Sequence, residues 1–371
     1  MKFSFSSEQD EFRSNLRRLL ADRSPTKEVR RLMETDAGYE RDGWAAINKA
    51  LGLTAIRIPE AYGGYGFGFG DQCIVLEEMG RALLCAPYFA TTALATAAII
   101  NAGTEAEKQA LLPGIAAGDT TATLAWVEDN GRWDAEGTEL SATIDGDKTL
   151  LRGHKIFVVD GHTADFMVVL GRAPPGLSFF TVDGNAAGLT RHALKSMDPT
   201  RKFARLEFNG VAARPLGTPG GAADPFARTM VEAAVCLANE MVGGADRLRD
   251  DALAYAMMRM QFGKPIASFQ SMKHKQADML LEVELAKSAA YYAAASLDDG
   301  DDDAVANAHL AKALASDAYM QTAIHAVQIH GGIGFTWDND THLWFKRAKS
   351  SEVFLGDAAY HRELMLQNWT A

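Results

Sequence analysis

The sequence predicts an α+β protein in which a β-barrel or sandwich domain lies between an N-terminal helical domain and a C-terminal four-helix bundle. Three observations support this prediction: helical periodicity over residues 1–118, short alternating apolar runs over 119–223, and long helical patterns over 224–371. A chain of 371 residues, 47% of them hydrophobic, is long enough to bury cores of this size.

The N-terminal domain is predicted from amphipathic runs. Ser7 can cap a first helix, in which apolar residues recur at intervals of three and four. These residues are Phe12, Leu16, Leu19 and Leu20. Further helical runs cover 27–32, 41–51, 71–83 and 88–102. We therefore expect an entirely helical domain up to about residue 118.

The central domain shows the period of two that is typical of strands. Its apolar runs cover 122–127, 157–159, 166–170, 177–182 and 204–208, separated by Gly, Asp and Pro. The pair Asp145-Gly146 lies between two such runs and predicts a hairpin turn. Short strands of this kind favour a small barrel or sandwich.

The C-terminal domain begins where Asp224 can cap a helix with Pro225 in its first turn. Helical patterns cover 225–262, 268–296, 303–330 and 340–369, which predicts a bundle of four antiparallel helices. Gly263 and Pro265 stop the first helix, and Ser268 can cap the second. The two helices therefore meet at a sharp corner.

Bulk properties exclude some classes of function. A net charge of -11 and a pI near 5.3 argue against nucleic-acid binding. Cys73, Cys85 and Cys236 form no CxxC pair, which suits reduced cytosolic thiols. Acids near the N-terminus interrupt any signal peptide, and no run of about 18 apolar residues could span a bilayer. We expect a cytoplasmic protein without a membrane span.

The helix corner contains the side chains best suited to a phosphate. Arg259 lies at the end of the first helix, and its planar guanidinium can donate two parallel charged hydrogen bonds. Gln270 lies just beyond the corner. A diphosphate cofactor is one interpretation of this pattern. The alternative is that Arg259 pairs with an acid on a neighbouring helix while Phe262 belongs to the core.

Two stretches resemble the acyl-CoA dehydrogenase family. Arg-Met-Gln-Phe-Gly at 259–263, followed by Pro-Ile at 265–266 and Phe-Gln at 269–270, resembles the corner that in this family reaches the FAD of a neighbouring subunit. Gln-Ile-His-Gly-Gly-Ile-Gly-Phe-Thr at 328–336 is similar to its other cross-subunit FAD contact. The resemblance covers residues 8 to about 362. It implies these FAD-binding residues: Arg259, Gln261, Phe262, Gln270, Gln328, Gly331 and Gly332.

The resemblance also implies a reaction and partners. Family members remove a proton from the α-carbon of an acyl-CoA thioester while the β-carbon gives a hydride to the flavin, which requires a carboxylate base. An electron-transferring flavoprotein is the expected electron acceptor. The family's helical bundles assemble into tetramers, so we expect a homo- or hetero-tetramer.

The catalytic base is where this sequence departs from the family. Many members have a glutamate directly before a glycine near the C-terminus, but here Leu355 precedes Gly356. Others place it near the start of the first bundle helix, where this chain has Ala233, with Glu232 one residue away. One residue rotates a helical side chain by about 100°. Glu240, two turns later, is the other candidate base.

Glu240 also has a structural interpretation. It lies within an apolar helical segment, 238–244, where a carboxylate is either a base or a partner of a nearby cation such as Arg247 or Arg249.

Lysine and histidine at 273–275 form either a solvated helix face or part of a site for coenzyme A phosphates. The spacings of His325, His330, His342 and His361 match no zinc pattern, so no metal site is expected.

The β domain departs from the family as well. The family's Thr-Glu-Pro-Gly loop near the flavin is replaced by Ala-Trp-Val-Glu-Asp-Asn-Gly at 125–131. Its Trp-x-Thr strand covers the isoalloxazine ring and donates a hydroxyl to N5, whereas this chain has Phe157 and Val159 there. Phe157 can still stack on a ring, and Val159 has only its backbone N–H to offer.

These departures suggest a division of labour between subunits. The segments offered to a neighbour's FAD are intact, while those around the chain's own flavin and substrate are altered. This pattern resembles a branch of bacterial subunits that form mixed tetramers acting on steroid side-chain or dicarboxylic acyl-CoAs. Three alternatives remain: a self-sufficient homotetramer using Glu240 or Glu232, a flavin-free scaffold subunit, and an acyl-CoA oxidase. The acyl chain itself is not indicated by any motif.

Overall fold

The computed structural model describes residues 5–145 and 148–369. The chain divides into two compact units that do not follow its linear order. The first, here called the helical unit, contains Met1–Arg30, Phe69–Leu84 and Ala234–Ala371, and the second, the barrel unit, contains Arg31–Gly68 and Cys85–Ala233.

The helices agree with most of the predicted runs. They are α1 Ser7–Arg23, α2 Thr26–Met33, α3 Arg41–Leu51, α4 Phe69–Ala82, α5 Ala97–Ala102, α6 Glu105–Ala116, α7 Ala223–Met258, α8 Gln270–Asp299, α9 Ala304–His330, α10 Thr341–Val353 and α11 Ala358–Gln367. A π-helical segment, Phe89–Thr96, precedes α5, and the Thr96 hydroxyl donates to Thr91 O five residues back. The run 88–102 is thus helical but not uniformly α-helical.

Packing of the helical unit explains glycines within α7. A Cβ atom at Gly243 would collide with the backbone of Glu77 on α4, and one at Gly80 would collide with the backbone of Glu240. A Cβ atom at Gly244 would collide with the ring of Tyr319 on α9. Two glycines therefore let α4 and α7 approach backbone to backbone, and a third accommodates α9.

Several predicted helix boundaries are wrong. Asp224 lies in the first turn of α7, which begins at Ala223, and α7 ends at Met258 and not at residue 262. The first helix is capped by Ser6, whose hydroxyl accepts from Gln9 N–H, and not by Ser7. The Ser268 hydroxyl donates to Pro265 O, which closes a local turn, and α8 begins at Gln270 without a side-chain cap. The predicted helix 340–369 is two helices, α10 and α11. Helix α10 ends where Phe354 becomes extended, and Leu355 follows with a positive φ of 65°.

The predicted β domain is a closed barrel. Its strands are β1 Ala122–Ala125, β2 Ser141–Asp145, β3 Lys148–Val159, β4 Phe166–Ala173, β5 Gly176–Asp183, β6 Leu189–Leu194 and β7 Phe203–Leu216. The strand order is β1-β4-β2-β3-β7-β5, and pairing of β5 with β4 closes the ring. Inward residues of β3, β4, β5 and β7 fill the interior, among them Leu151, Met167, Phe180 and Leu206.

Two details of the barrel qualify the prediction. Strands β2 and β3 pair antiparallel from Ser141↔Arg152 to Asp145↔Lys148, as expected for a hairpin. The turn residue Gly146 lies outside the described residues. Strand β6 carries a weak apolar alternation and was not predicted.

In the part of the chain that the structure describes, no helix is both long and apolar enough to cross a bilayer.

Candidate functional site

The helix corner is a tight hairpin that follows α7. Two short strands, β8 Met260–Gln261 and β9 Lys264–Pro265, pair antiparallel around Phe262 and Gly263. Both turn residues have positive φ, 50° and 79°, as a two-residue type I′ turn requires. Left-handed φ is ordinary for glycine but costs about 1–2 kcal/mol for a residue with a side chain. Phe262 is therefore held in a strained conformation.

Phe262 is also 91% exposed, so the interpretation of this residue as part of the core is wrong for the chain by itself. The methionines around it, Met257, Met258 and Met260, are each more than half exposed. Within the subunit, the Phe262 ring packs edge-to-face on the Phe269 ring with centroids 6.1 Å apart. Backbone strain and exposed apolar side chains are both frequent at functional sites.

Arg259 has a fixed backbone and an exposed side chain. Its N–H donates to Tyr255 O at 2.9 Å, and its carbonyl accepts from Ile266 N–H at 2.8 Å. Among residues 5–145 and 148–369, no carboxylate lies within ion-pair distance of its guanidinium. The alternative of an intramolecular ion pair is therefore not supported, and the guanidinium can bind an external anion.

The second motif is a glycine turn at the end of α9. Gly331 has a φ of 67° and ends the helix, and a 3₁₀ helix follows over Gly331–Phe335. A Cβ atom at Gly332 would meet nothing within 4 Å, and the φ of Gly332 is not left-handed. At Gly334, by contrast, a Cβ would lie 2.8 Å from the His330 Cβ. Intramolecular packing requires glycine at 334 but not at 332.

The structure brings the two motifs together at one end of the helical unit. The Tyr255 ring stacks on the His330 ring with centroids 4.3 Å apart and an interplanar angle of 24°. Lys275 Nζ donates to Gln328 Oε1 at 3.0 Å. Neither contact was predictable from the sequence, because Tyr255 and Lys275 carry no motif of their own and their partners are distant in sequence.

This end of the helical unit is locally basic and polar on a chain that is acidic overall. Arg259, Lys264 and Lys273 are exposed here, as are Gln261 and Gln270, while Lys275 is half-buried. Helix α8 starts at Gln270 with no side-chain cap, and a helix N-terminus favours anions. The donors therefore fit a diphosphate, and the glycines at 331 and 332 leave room for close approach to the backbone.

The two candidate bases are both held by arginines. Glu240 is buried, and its Oε1 accepts from Arg347 Nη1 at 2.8 Å. The predicted partners Arg247 and Arg249 were wrong, because they pair with aspartates of α7 itself, including Asp251 at 2.8 Å. Arg247 and Arg249 lie about two turns or more along α7 from Glu240 and pair with aspartates closer in the sequence, whereas Arg347 on α10 reaches the Glu240 carboxylate.

Glu232 lies in the barrel unit and is also buried. Its Oε2 accepts from Arg57 Nη2 at 2.7 Å, and its Oε1 accepts from Arg228 Nε at 3.2 Å. Both carboxylate oxygens of Glu232 are thus engaged in charged hydrogen bonds with guanidinium groups. This geometry suits structural ion pairs better than a proton acceptor.

The turn between α10 and α11 keeps its form without a carboxylate. Leu355 is buried, and its carbonyl accepts from His361 Nε2 at 3.0 Å. Lys312 Nζ donates to Gly356 O at 3.0 Å and to Glu352 O at 3.2 Å. Burial lowers the pKa of Lys312 to about 7. Buried donors thus fix the turn at the position where the resemblance implies a base.

A buried histidine pair supports the same turn. His309 Nδ1 lies 2.9 Å from His361 Nδ1. Because His361 Nε2 donates to the Leu355 carbonyl, the neutral His361 ring has a free acceptor at Nδ1, which accepts a hydrogen bond from His309 Nδ1–H. Burial lowers the pKa of His309 to about 4 and that of His361 to about 3.

Within the described ranges, no group of three or more His, Cys, Asp or Glu side chains is arranged to hold a metal ion.

Two sequence models of one family match the chain. The model described as "Acyl-CoA dehydrogenase, N-terminal domain" matches residues 6–119, and the model described as "Acyl-CoA dehydrogenase, C-terminal domain" matches residues 226–369. The acyl-CoA dehydrogenase IpdE2 of Mycolicibacterium smegmatis is 32% identical over 351 residues, which cover 95% of each chain. The chain belongs to the acyl-CoA dehydrogenase family.

Similar solved structures include two whose names each join two different proteins. The ChsE4-ChsE5 complex from Mycobacterium tuberculosis contains a chain with a TM-score of 0.90 and 25% identity, covering 100% of both chains. A variant of the Tcur3481-Tcur3483 steroid ACAD has a TM-score of 0.87 and 28% identity, covering 97% of both. The protein is thus an acyl-CoA dehydrogenase family oxidoreductase with the expected fold of helical, β and helical domains.

The family resemblance predicts that the flavin ring lies against the barrel, next to Phe157 and Val159. Phe157 is 44% exposed, has a positive φ of 54°, and packs edge-to-face on Phe203. Val159 is buried, and its carbonyl accepts from the Thr123 hydroxyl at 2.6 Å. The Phe157 ring is therefore presented at the surface, whereas Val159 offers no accessible side chain.

Proposed function

We propose that this chain is a subunit of an FAD-dependent acyl-CoA dehydrogenase and that its helix corner completes the FAD site of a partner subunit. The observation that carries this proposal is the corner itself. Phe262 is strained and exposed, Arg259 is exposed without an intramolecular ion pair among the described residues, and Gly332 faces open space. The left-handed Phe262 and the glycine at 332 cost this subunit stability, and all three features are accounted for by a ligand and a partner.

The roles within this proposal follow from donor chemistry. Arg259 binds the diphosphate oxygens, and the amides of Gln261, Gln270 and Gln328 supply neutral donors and acceptors. Gly331 and Gly332 allow the backbone to approach the cofactor closely. When bound, FAD supplies the hydride acceptor for the dehydrogenation.

In the barrel unit, the Phe157 ring faces the flavin, and Val159 contributes only backbone polar groups. The Val159 side chain is buried and cannot contact a ligand. The barrel residues therefore contribute ring contact and shape, while the charged recognition of the cofactor comes from the helix corner.

The chain does not supply the base in this proposal. The position implied by the family resemblance carries Leu355, and Glu240 and Glu232 are held in ion pairs. A partner subunit with a glutamate at the equivalent of Leu355 removes the α-proton. The similar chains in paired assemblies, one of them named as a steroid ACAD, support a hetero-tetramer acting on a bulky acyl-CoA such as a steroid side-chain or dicarboxylic thioester.

The remaining features of the proposal concern the setting. Electrons pass from the reduced flavin to an electron-transferring flavoprotein, and the enzyme works in the cytoplasm. The alternative is a self-sufficient homotetramer in which Glu240 or Glu232 leaves its arginine and acts as the base. In that case Glu240→Gln or Glu232→Gln must abolish flavin reduction by acyl-CoA in the chain purified alone.

The visible absorption spectrum tests the proposal. We expect the chain expressed alone to bind little flavin, and co-expression with a base-bearing acyl-CoA dehydrogenase from an adjacent gene to give a yellow complex whose flavin is bleached by acyl-CoA. Stoichiometric flavin and bleaching in the chain alone would support the homotetramer. A complex that stays colourless would support a scaffold, and rapid reoxidation of the reduced complex by oxygen would indicate an oxidase.

A further inference from the structure

The barrel contains a buried ion pair that the proposed function does not use. Lys155 on β3 is fully buried, and Glu128, just after β1, is 4% exposed. Lys155 Nζ donates to Glu128 Oε1 at 2.6 Å and to Trp126 O at 3.0 Å. The same Glu128 oxygen accepts from the N–H of Leu140 at 2.9 Å. The ammonium and the carboxylate thus sit at the centre of a polar network inside an apolar barrel.

Stability of the barrel does not explain this pair. Removing two charges from water costs more than their attraction usually returns, and apolar residues of similar size serve as well or better. Burial lowers the pKa of Lys155 to about 8, against the opposing attraction of Glu128. At neutral pH the ammonium is nevertheless mostly charged. An explanation must therefore come from the segments that the pair connects.

The first connected segment is 126–128, which follows β1. Lys155 holds the carbonyl of Trp126, and Ile156 N–H donates to Val127 O at 2.8 Å. Glu128 is in turn anchored by Lys155 and by the backbone of Leu140. Three consecutive residues are therefore tied to β3 at the point where Lys155 is located.

The second connected segment is a bulge in β3. Lys155 pairs with Leu206 and Val158 pairs with Ala204, so that Ile156 and Phe157 together face a single residue of β7. Phe157 has a φ of 54°, which is an outlier for an aromatic residue, and the residue is 44% exposed. Bulges re-aim side chains and are frequent next to functional sites. Lys155 lies immediately before this bulge.

We propose that Lys155 and Glu128 are positioning residues: they lock segment 126–128 to the bulge so that the Phe157 ring is presented in one orientation to a planar aromatic ligand. The identification of that ligand as the flavin ring rests on the proposed function. Neither charged side chain touches the ligand, and their effect is transmitted through the backbone of Trp126, Val127 and Ile156.

The locking can be tested without flavin by amide hydrogen exchange. Lys155→Met removes the donor, and we expect exchange to accelerate roughly tenfold or more in 126–128 and 156–158, with the other end of β3 unchanged. Lys312→Met is the matched control, because Lys312 is the other fully buried lysine among the described residues and it lies in the helical unit. Unchanged exchange in both segments would overturn the proposal.

A double variant separates locking from general stability. Lys155→Met leaves Glu128 buried and unpaired, which destabilises the barrel by itself. Lys155→Met combined with Glu128→Leu replaces the pair by apolar groups, and we expect the melting temperature to recover while fast exchange at 156–158 persists. If protection recovers together with the melting temperature, the pair is only structural and the inference fails.

The flavin spectrum of the assembly tests the ligand. In a flavin-bearing complex that contains the double variant, we expect a shifted visible absorption maximum and a changed flavin midpoint potential, whereas Lys312→Met changes neither. A spectrum and potential identical to the wild type would overturn the link between the bulge and the flavin. If the wild-type complex holds no flavin, the proposed function and the ligand assignment both fall, and hydrogen exchange still decides whether the pair locks the bulge.

Discussion

Gly332 offers a substitution whose effects on folding and on assembly should have opposite signs. Its would-be Cβ meets nothing within 4 Å, and its φ lies outside the left-handed region. Gly332→Ala therefore adds a methyl group to open space. Replacing glycine at a compatible position reduces the entropy of the unfolded chain and stabilises by about 0.4–1 kcal/mol. For a protein of this size we expect the melting temperature to stay equal or to rise by about 1–4 °C.

In the assembled enzyme the same methyl group should be harmful. If a cofactor or partner approaches the backbone at Gly332, the added group overpacks that contact, which typically costs about 1–3 kcal/mol. This free energy corresponds to a loss of roughly 5- to 150-fold in affinity. The flavin content of the co-purified complex should fall accordingly, and it should be partly restored by excess FAD during purification.

Gly334 provides the matched control in the same turn. A Cβ there would lie 2.8 Å from the His330 Cβ and 3.1 Å from Val327 O, so Gly334→Ala should lower the melting temperature of the chain by itself. Calorimetry of each isolated variant and flavin absorption of each complex separate the two effects. A Gly332→Ala complex with full flavin content would refute the account of this glycine, as would clear destabilisation of the isolated variant.

Two further predictions concern buried charges. Glu240→Gln removes the carboxylate that pairs with the buried Arg347 guanidinium, so urea titration should show a loss of about 3–5 kcal/mol in unfolding free energy. Adding Arg347→Met should largely recover this loss, and an unchanged midpoint would contradict a structural pair. Burial lowers the pKa of His361 to about 3 and that of His309 to about 4, below the ordinary 6.5. Both histidines therefore gain protons on unfolding, and the free energy of unfolding should fall as the pH drops from about 6.5 through 4. His361→Gln should flatten that decline while the exposed His274→Gln should not, and equal slopes in a pH series of thermal melts would exclude the histidine pair as its cause.

Local patterns were sufficient for much of the fold. Helical periodicity and period-two alternation predicted most elements, because each buries one face against a core. The corner was predictable because Gly263, Pro265 and Arg259 each act within a few residues. The hairpin that inserts Phe262 into a left-handed turn was not foreseen, since glycine or asparagine is the usual choice at that position.

Contacts between distant segments were not predictable in the same way. The partner of Glu240 is Arg347, more than a hundred residues away, and local spacing pointed instead to cations on the same helix. The burial of Lys155 had a visible signal, because it falls on the inward face of β3 in register with Leu151. Its partner Glu128 had none, since it lies outside the regular strands.

The flavin content of a complex in which only this chain carries Arg259→Gln tests the central claim most directly. The partner subunit stays wild type, and Arg214→Gln, an exposed arginine of the barrel unit, serves as the control. Loss of a charged bidentate contact costs about 1.5–3 kcal/mol, so we predict a roughly 10- to 100-fold weaker hold on FAD with the oligomer intact. A variant complex that keeps its flavin as tightly as the Arg214→Gln control would contradict the claim that this corner completes a partner's FAD site.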